Sequence, residues 1–247
     1  MDSLRTSLTH TQAPRGLTVM ELVVIFSIIV FVMMIVLTGQ GGFDRSLTIT
    51  DAAYTIALSV RQAQTFGLSS RTASTSLSIG ITNAAYGVHF ASSTPPRTYT
   101  LFTDRSPTAG NLAVNTLSGY CPGHTIAAGN PDAKPGNCLF DGTSETIQNY
   151  TLSRGFTIAK FCGTNRTDGV VHCALSRTGA EVLDIDAMDV SFLRPNTNTV
   201  ILGKMIGGGY YSFSDATIVI QDKTATYKRA VCVNQYGEIH VSTSTCP

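Results

Sequence analysis

The feature that most constrains this chain is a long apolar run near its N-terminus. Residues 22–43 contain no charged side chain, and residues 22–37 read LVVIFSIIVFVMMIVL. A helix of twenty-two residues, rising 1.5 Å per residue, is about 33 Å long and can cross the hydrocarbon core of a bilayer. The rest of the chain has no second run of this kind. We therefore predict one membrane-spanning helix, close to the N-terminus.

The charges that flank the run predict its orientation. Arg5 and Arg15 precede it and are opposed only by Asp2. Because basic flanking residues stay in the cytoplasm, residues 1–16 are predicted to be cytoplasmic and the chain beyond the run to lie outside. A cleaved secretory signal is one alternative, but its apolar region would be about 7–15 residues long. A plain signal anchor is the second alternative.

A signal anchor does not explain Glu21, an ionisable residue inside the leading edge of the run, where such a group is costly and indicates a function. The segment RGLTVMELVV, residues 15–24, resembles the N-terminus of type IV prepilins and type II secretion pseudopilins. The resemblance implies that prepilin peptidase cuts after Gly16, that Leu17 becomes a methylated N-terminus, and that Glu21 acts in assembly. The chain departs from the family in having Leu17 where Phe is commonest and a rather long leader of 16 residues.

A physical role for Glu21 follows from this processing. Cleavage leaves an α-amino group on Leu17 that is cationic near neutral pH. In a bundle of such helices this amine loses its water, and the Glu21 carboxylate of a neighbouring subunit can pair with it. Since an unpaired buried carboxylate is expensive, the subunits should adopt the register that forms the pair. The expected partners are therefore prepilin peptidase, the membrane, and other pilins or pseudopilins that contact residues 17–43.

A second helical pattern follows the apolar run. The sequence TGQGG at residues 38–42 predicts a break or an unwinding segment, because each interior Gly costs about 1 kcal/mol relative to Ala. Helical spacing of apolar residues resumes over residues 44–67, with Asp44 or Ser46 as a candidate cap and Gly67 as a candidate end. Residues 57–74 are similar to the second half of the stalk helix in H-type pseudopilins and related minor pilins.

Residues 68–247 are predicted to form an exported, β-rich globular domain. Residues 103–149 are expected to be a long irregular insertion, because they are rich in Gly, Pro, Asn and Thr. The fold class is α+β and pilin-like, a long N-terminal helix packed on an antiparallel β-sheet with disulfide-closed loops. Alternating or β-branched segments predict strands at 75–81, 86–90, 98–102, 156–161, 169–176, 182–185, 189–193, 200–202, 217–221, 227–234 and 239–242.

The cysteines indicate an oxidising compartment. An even number of cysteines, all beyond residue 120, predicts disulfides, and six allow fifteen pairings. Pairing of nearest neighbours is the simplest arrangement. A structural zinc site is the alternative, because CPGH at residues 121–124 and the pair His172 and Cys173 supply ligand types, although no paired CxxC motif is present. The nearest-neighbour pairs are Cys121 with Cys138, Cys162 with Cys173, and Cys232 with Cys246.

Motifs for catalysis are missing from the sequence. It contains no G-x-S-x-G, H-E-x-x-H, Walker A or G-x-G-x-x-G pattern, so we expect no enzyme, no catalytic residue, no cofactor and no metal. Residues 207–209, three consecutive glycines, are interpreted as a turn or bulge. The carboxylates of Asp184, Asp186 and Asp189 could bind Ca²⁺, but a solvated turn is the commoner meaning of such a cluster. The histidines are interpreted as strand or surface residues.

These observations favour a structural role, a pilin-like subunit of a pilus or of a secretion pseudopilus. The first alternative is a DNA-capturing minor pilin, since some relatives of the H-type group bind DNA through basic residues near the C-terminus. Here the comparable residues 237–241 contain Glu238, with only Lys228 and Arg229 nearby, and the chain without its leader has fifteen basic and fifteen acidic residues. That balance argues against a nucleic-acid partner. A membrane-tethered enzyme with an unrecognised site is supported only by the size of the outer domain. The choice between pilus and pseudopilus, and between major and minor subunit, stays open.

Overall fold

The computed structural model describes residues 16, 18–69, 84–92, 96–104, 138–176, 179–193, 198–243 and 245–246. The chain divides into two compact units, residues 1–44 and residues 45–247. One helix, α1 (Val19–Leu68), supplies residues to both units. The break expected at residues 38–42 does not occur in this described helix, and neither does a new helix start at Asp44 or Ser46. Glycine lowers helix propensity but keeps its backbone N–H, so the helical hydrogen bonds can continue through it.

Within its described residues, the second unit has two sheets of six strands each, instead of the single sheet expected. The first sheet has the order β3-β2-β1-β7-β8-β9, and the second has the order β12-β11-β10-β4-β5-β6. Neighbouring strands pair in the antiparallel sense, except for the parallel pair β5 and β6. The strands are β1 (Tyr86–Ala91), β2 (Thr98–Thr103), β3 (Thr146–Thr151), β4 (Thr157–Thr164), β5 (Val171–Ala174), β6 (Val182–Leu183), β7 (Ile185–Phe192), β8 (Thr199–Met205), β9 (Tyr210–Phe213), β10 (Asp215–Gln221), β11 (Lys228–Asn234) and β12 (Ile239–Ser242).

Each predicted strand that lies within the described residues overlaps an observed strand. Two strands were not predicted, β3 and β9. β3 follows a 3-10 turn at Thr143–Glu145 and begins inside the stretch, residues 103–149, that was expected to be irregular. The strand predicted at residues 75–81 lies outside the described residues. The turn predicted at the three glycines is confirmed, since Gly207, Gly208 and Gly209 have φ values of 96°, 101° and 92° between β8 and β9.

The second half of α1 forms the centre of the core within residues 45–247. Its buried face consists of Ile49, Ala52, Ala53, Ile56, Ala57, Val60 and Ala63. These side chains share one hydrophobic cluster with residues of both sheets, including Phe90, Phe161 and Ile218. Because four of these residues are alanines, the side chains on this face are short, and the sheets can approach the helix backbone closely. The expected packing of the helix on a β domain is therefore observed for this part of α1.

Phe213 occupies the junction between the two sheets and is fully buried. Its ring contacts Gly163 of β4 and Gly203 of β8, which belong to different sheets. A Cβ atom at Gly163 would lie 2.4 Å from the ring, and one at Gly203 would lie 2.3 Å from it. Both positions therefore require glycine, and the aromatic ring fills the space that the two missing side chains leave.

Candidate functional site

The start of α1 is the first candidate site, because the predicted processing motif lies there. The backbone N–H of Glu21 donates to Thr18 Oγ1 at 3.3 Å, and the N–H of Leu22 donates to the Thr18 carbonyl at 3.1 Å. Thr18 is therefore the N-cap of the helix, and Glu21 stands at the third helical position. Gly16 is exposed, with no neighbouring atom where its Cβ would be. Leu17 lies outside the described residues.

Glu21 is exposed in the first turn of α1. A carboxylate at this position interacts favourably with the positive end of the helix dipole, which gives Glu21 a local structural role. That interaction leaves its oxygens open to a second partner, such as a cation from another chain. The processing role of Gly16 and Leu17 and the assembly role of Glu21 stay predictions.

The helical segment Val19–Leu37 is nineteen residues long and could cross a membrane by its length and composition. Its large apolar side chains are 45% to 81% exposed, so no part of the described chain covers them. Ser27 donates its hydroxyl to the Val24 carbonyl at 2.8 Å, which satisfies the one side-chain hydroxyl of the segment within the helix itself. Glu21 is the one ionisable residue in this segment. An exposed helix that is apolar on all sides requires a membrane or other helices around it.

Polar side chains fix the second half of α1 to the strands. Ser59 and Tyr99 of β2 share a buried hydrogen bond of 3.1 Å, and burial raises the pKa of Tyr99 to about 12. Arg229 of β11 donates Nε to Thr50 Oγ1 at 3.0 Å and Nη2 to Ser46 Oγ at 3.2 Å. These contacts lie on opposite sheets, so the helix is held from two sides by directional bonds as well as by apolar packing.

Disulfides stabilise the β domain, as its cysteine content predicted. Cys162 is bonded to Cys173, which joins β4 to β5, and Cys232 is bonded to Cys246, which ties the C-terminal residues to β11. Cys138 is also disulfide-bonded, and the described residues include no free cysteine. Cys121, its predicted partner, lies outside the described residues. Two of the three nearest-neighbour pairs are thus present, each closing a short loop worth roughly 3 kcal/mol in the chain-entropy model.

The backbone around Cys138 is held by two buried polar side chains. Its N–H donates to the Asp104 carboxylate, and its carbonyl accepts a hydrogen bond of 2.9 Å from the Ser191 hydroxyl. Cys138 also has a φ of 65°, an uncommon value for a residue with a side chain. Asp104 directly follows β2, so its bond joins the end of that strand to Cys138.

The zinc alternative is not favoured by the described residues. Among them, one group has metal-ligand spacing, Cys162, Cys173 and Glu181. The two sulfurs are bonded to each other, and both Glu181 carboxylate oxygens accept hydrogen bonds of 2.7 Å from Lys160 Nζ. The donors of this group are therefore already engaged. The CPGH segment lies outside the described residues.

The three aspartates that were considered as a calcium site have separate partners. Asp184 accepts from His172 Nδ1 at 2.9 Å, Asp186 accepts from the Ser92 hydroxyl, and Asp189 pairs with His89 Nδ1 at 2.7 Å. They form no shared ligand group within the described part of the chain. The solvated-turn interpretation is also wrong for Asp189, which is buried in β7.

The two histidine–aspartate pairs were not anticipated from the sequence. His172 lies in β5, stacks on Tyr211 of β9 at 4.0 Å, and buries its Nε2 atom without a hydrogen-bond partner in the described chain. His89 of β1 packs on Phe140 at 4.5 Å. Because Nε2 of His172 is out of contact with solvent, the pair of His172 and Asp184 is arranged as a junction between sheets and not as an accessible acid–base centre. The cross-strand pairing of His89 with Asp189 depends on register, which the sequence does not reveal.

The residues considered for DNA binding are only partly available. The Arg229 guanidinium is bonded to α1, and Glu238 accepts a hydrogen bond of 2.9 Å from the Asn234 amide. Lys228 is exposed at the start of β11. Glu238 contacts Asn234 at the end of β11, so Lys228 and Glu238 lie at opposite ends of this strand. Residues 237–241 themselves contain a carboxylate and no Lys or Arg.

Comparison with known proteins gave no relative. The chain matches no protein-family model, no curated protein and no solved structure.

Proposed function

We propose that this chain is a type IV pilin-like structural subunit, a minor pilin or a pseudopilin. In this proposal prepilin peptidase removes residues 1–16, and the mature subunit enters a pilus or a type II secretion pseudopilus. The observation that carries the proposal is the start of α1. There an exposed Gly16 precedes a helix capped by Thr18, with Glu21 exposed in the first turn and an uncovered apolar surface beyond it.

The exposed apolar segment would lie in two different environments, one before assembly and one after it. Before assembly, Val19–Leu37 would lie in the cytoplasmic membrane, with the leader in the cytoplasm and the β domain outside. During assembly, the same side chains would pack against the corresponding helices of neighbouring subunits. The Glu21 carboxylate would then pair with the α-amine of Leu17 in an adjacent subunit, which fixes the helical register.

The second half of α1 would transmit this assembly to the outer domain. Its apolar face, the Ser59–Tyr99 bond and the Arg229 contacts fix it to both sheets. Disulfides in the β domain support export to an oxidising compartment. In this proposal, the part of α1 from residue 45 onward anchors the β domain of each assembled subunit.

Processing can be tested by co-expressing the full chain with a prepilin peptidase and measuring its N-terminal sequence and intact mass. We expect a chain that begins at methylated Leu17 and lacks six hydrogens because its six cysteines are paired. Gly16→Val should block cleavage, whereas Glu21→Gln should leave it intact. A chain that still begins at Met1, in cells that process a reference prepilin, would reduce the segment to a signal anchor and refute the proposal.

Assembly can be tested in cells that contain the corresponding filament machinery. Glu21→Gln removes the charge at constant size, so we expect normal cleavage and membrane insertion but loss of incorporation into filaments. Ser27→Ala is a matched control inside the same segment, because Ser27 satisfies its hydroxyl locally. Equal incorporation of Glu21→Gln and the unmodified chain would contradict the pairing role.

The DNA-capturing alternative receives less support, because Arg229 is engaged by α1 and the comparable residues 237–241 contain a carboxylate and no Lys or Arg. Electrophoretic mobility of duplex DNA with the purified chain distinguishes the two functions. The structural proposal predicts no shift that depends on salt at moderate ionic strength. A salt-dependent shift that Lys228→Gln abolishes would favour DNA capture.

A further inference from the structure

The two sheets have four outer edges, and side chains block two of them. At the β12 edge, Arg61 of α1 donates to the Ile239 carbonyl and Gln64 donates to the Gly237 carbonyl, both at 3.1 Å. Backbone groups that would otherwise bind another strand are thus satisfied by the helix. An edge protected in this way cannot accept another strand without losing these bonds.

At the β9 edge, Arg166 performs the same task. Its backbone N–H donates to the Ser212 carbonyl at 2.9 Å, and its Nε donates to the Phe213 carbonyl at 2.8 Å. Asn165 also forms a bridge to Phe213. The β6 edge is protected by its length, since Val182–Leu183 offers only two residues.

In the part of the chain that the structure describes, the β3 edge, the outer side of Thr146–Thr151, has none of these protections. It offers six residues, and no backbone group of another described segment pairs with it. Its sequence, TIQNYT, contains no charge and no proline, the two devices that most often prevent edge pairing. Ile147, Gln148, Asn149 and Thr151 are exposed. An open row of alternating N–H and C=O groups is complementary to one kind of ligand, an extended polypeptide strand.

We propose that the β3 edge binds the β3 edge of a second copy of this chain. Antiparallel pairing about a two-fold axis perpendicular to the sheet would place one residue opposite itself. Any charge near the centre of such a strand would face its own copy, so a strand that pairs with itself must be neutral there. The β3 edge meets this requirement along its whole length. The contact lies in the β domain, so it does not depend on the proposed filament function.

The register of this contact is centred on Asn149. The regular ladder between β2 and β3 covers residues 148–151, with a bulge at Ile147. Centring on Asn149 uses the regular part of the strand and excludes Glu145 from the contact. It pairs Asn149 with Asn149, Gln148 with Tyr150, and Ile147 with Thr151, which are amide, hydroxyl and β-branched combinations that suit cross-strand neighbours.

Photocrosslinking of the full chain in lipid vesicles tests the proposal. A benzophenone amino acid at Ile147 should give a homodimer adduct, whereas the same group at Ile206 should not. Ile206 is a matched control because it is also an exposed isoleucine and lies in the turn after β8, at the other side of the first sheet. Association through the apolar part of α1 would not favour position 147 over position 206. Equal adducts from the two positions, or no dimer adduct, would overturn the proposal, as would an adduct in cells with a mass other than that of two copies.

A charge exchange at Asn149 tests the two-fold register. Like charges directly opposite each other on adjacent strands disfavour pairing, so Asn149→Lys and Asn149→Asp should each reduce the Ile147 adduct roughly fivefold. An equimolar mixture of the two variants should restore the adduct, because opposite charges then face each other. Failure of the mixture to exceed both single variants would refute pairing centred on this residue.

Discussion

Gly67 provides the sharpest test of how α1 meets the β domain. It lies in the last turn of the helix, where a Cβ atom would be 2.3 Å from the carbonyl oxygen of Phe192 in β7. A backbone carbonyl in a sheet cannot turn aside, so Gly67→Ala must push the helix end about 1 Å from the strand. Such overpacking costs about 1–3 kcal/mol, while alanine improves helix propensity by about 1 kcal/mol. Because the contacted atom is backbone, we expect the upper part of that range and a net loss of about 1–2 kcal/mol.

The assay is reversible urea unfolding of the full chain in detergent with disulfides intact, followed by near-ultraviolet circular dichroism. Thr55→Ala is the control, because Thr55 is exposed on the same helix and donates its hydroxyl only to the Asp51 carbonyl. Alanine should raise the free energy of unfolding there by about 0.5 kcal/mol through helix propensity. The two alanine variants should therefore change stability in opposite directions. If Gly67→Ala is as stable as the unmodified chain or more stable, the close approach of helix and strand is refuted.

Three further predictions concern the cap, the sheet junction and a buried carboxylate. Thr18→Ala should weaken the helix start by about 1 kcal/mol, seen as faster amide exchange at Glu21. Phe213→Ala should cost about 3–5 kcal/mol in urea unfolding, because it empties the space between the sheets. Burial raises the pKa of Asp222, but hydrogen bonds from the Thr224 hydroxyl and from backbone N–H groups outweigh this and hold the pKa below its ordinary value of 3.8. Its stabilising effect should thus be complete above pH 3.8 and disappear as the pH falls through the folded-state pKa. Asp222→Asn should lack this component of the acid dependence of unfolding.

Local patterns predicted the elements that are apolar and regular. The helical spacing of residues 44–67 corresponds to the buried face of α1, and the β-branched runs near the C-terminus correspond to β10, β11 and β12. The pairs Cys162 with Cys173 and Cys232 with Cys246 followed from sequence proximity alone. In each case, the residues that interact are close together in the sequence, so the local sequence pattern is enough to predict the element.

Elements that depend on distant partners were missed or misassigned. β3 has an amide-rich sequence typical of a loop, and it becomes a strand because β2 offers it a ladder and Tyr99 stacks on Tyr150 at 5.0 Å. β9 is short and becomes a strand beside β8 around the buried ring of Phe213. The role of Gly67 was also misassigned, since it is needed for close approach and α1 ends one residue later at Leu68. Each of these outcomes is decided by the three-dimensional neighbour, which the local sequence does not specify.

The two parts of α1 pose different burial problems within one helix. The residues from 45 onward bury one apolar face and anchor their flanks through Ser59 and Arg229, so the β domain completes this part of the helix. Val19–Leu37 has apolar side chains on every side, and none of them is covered by the described chain. The hydrophobic effect therefore requires a second environment from outside the chain. A bilayer buries the apolar side chains, but the charged Glu21 carboxylate is costly at the edge of the hydrocarbon core. A bundle of like helices buries the same apolar side chains and also stabilises each carboxylate, if a cation pairs with it. In the proposed function, Glu21 is therefore the residue whose substitution separates a chain that assembles from one that is only anchored.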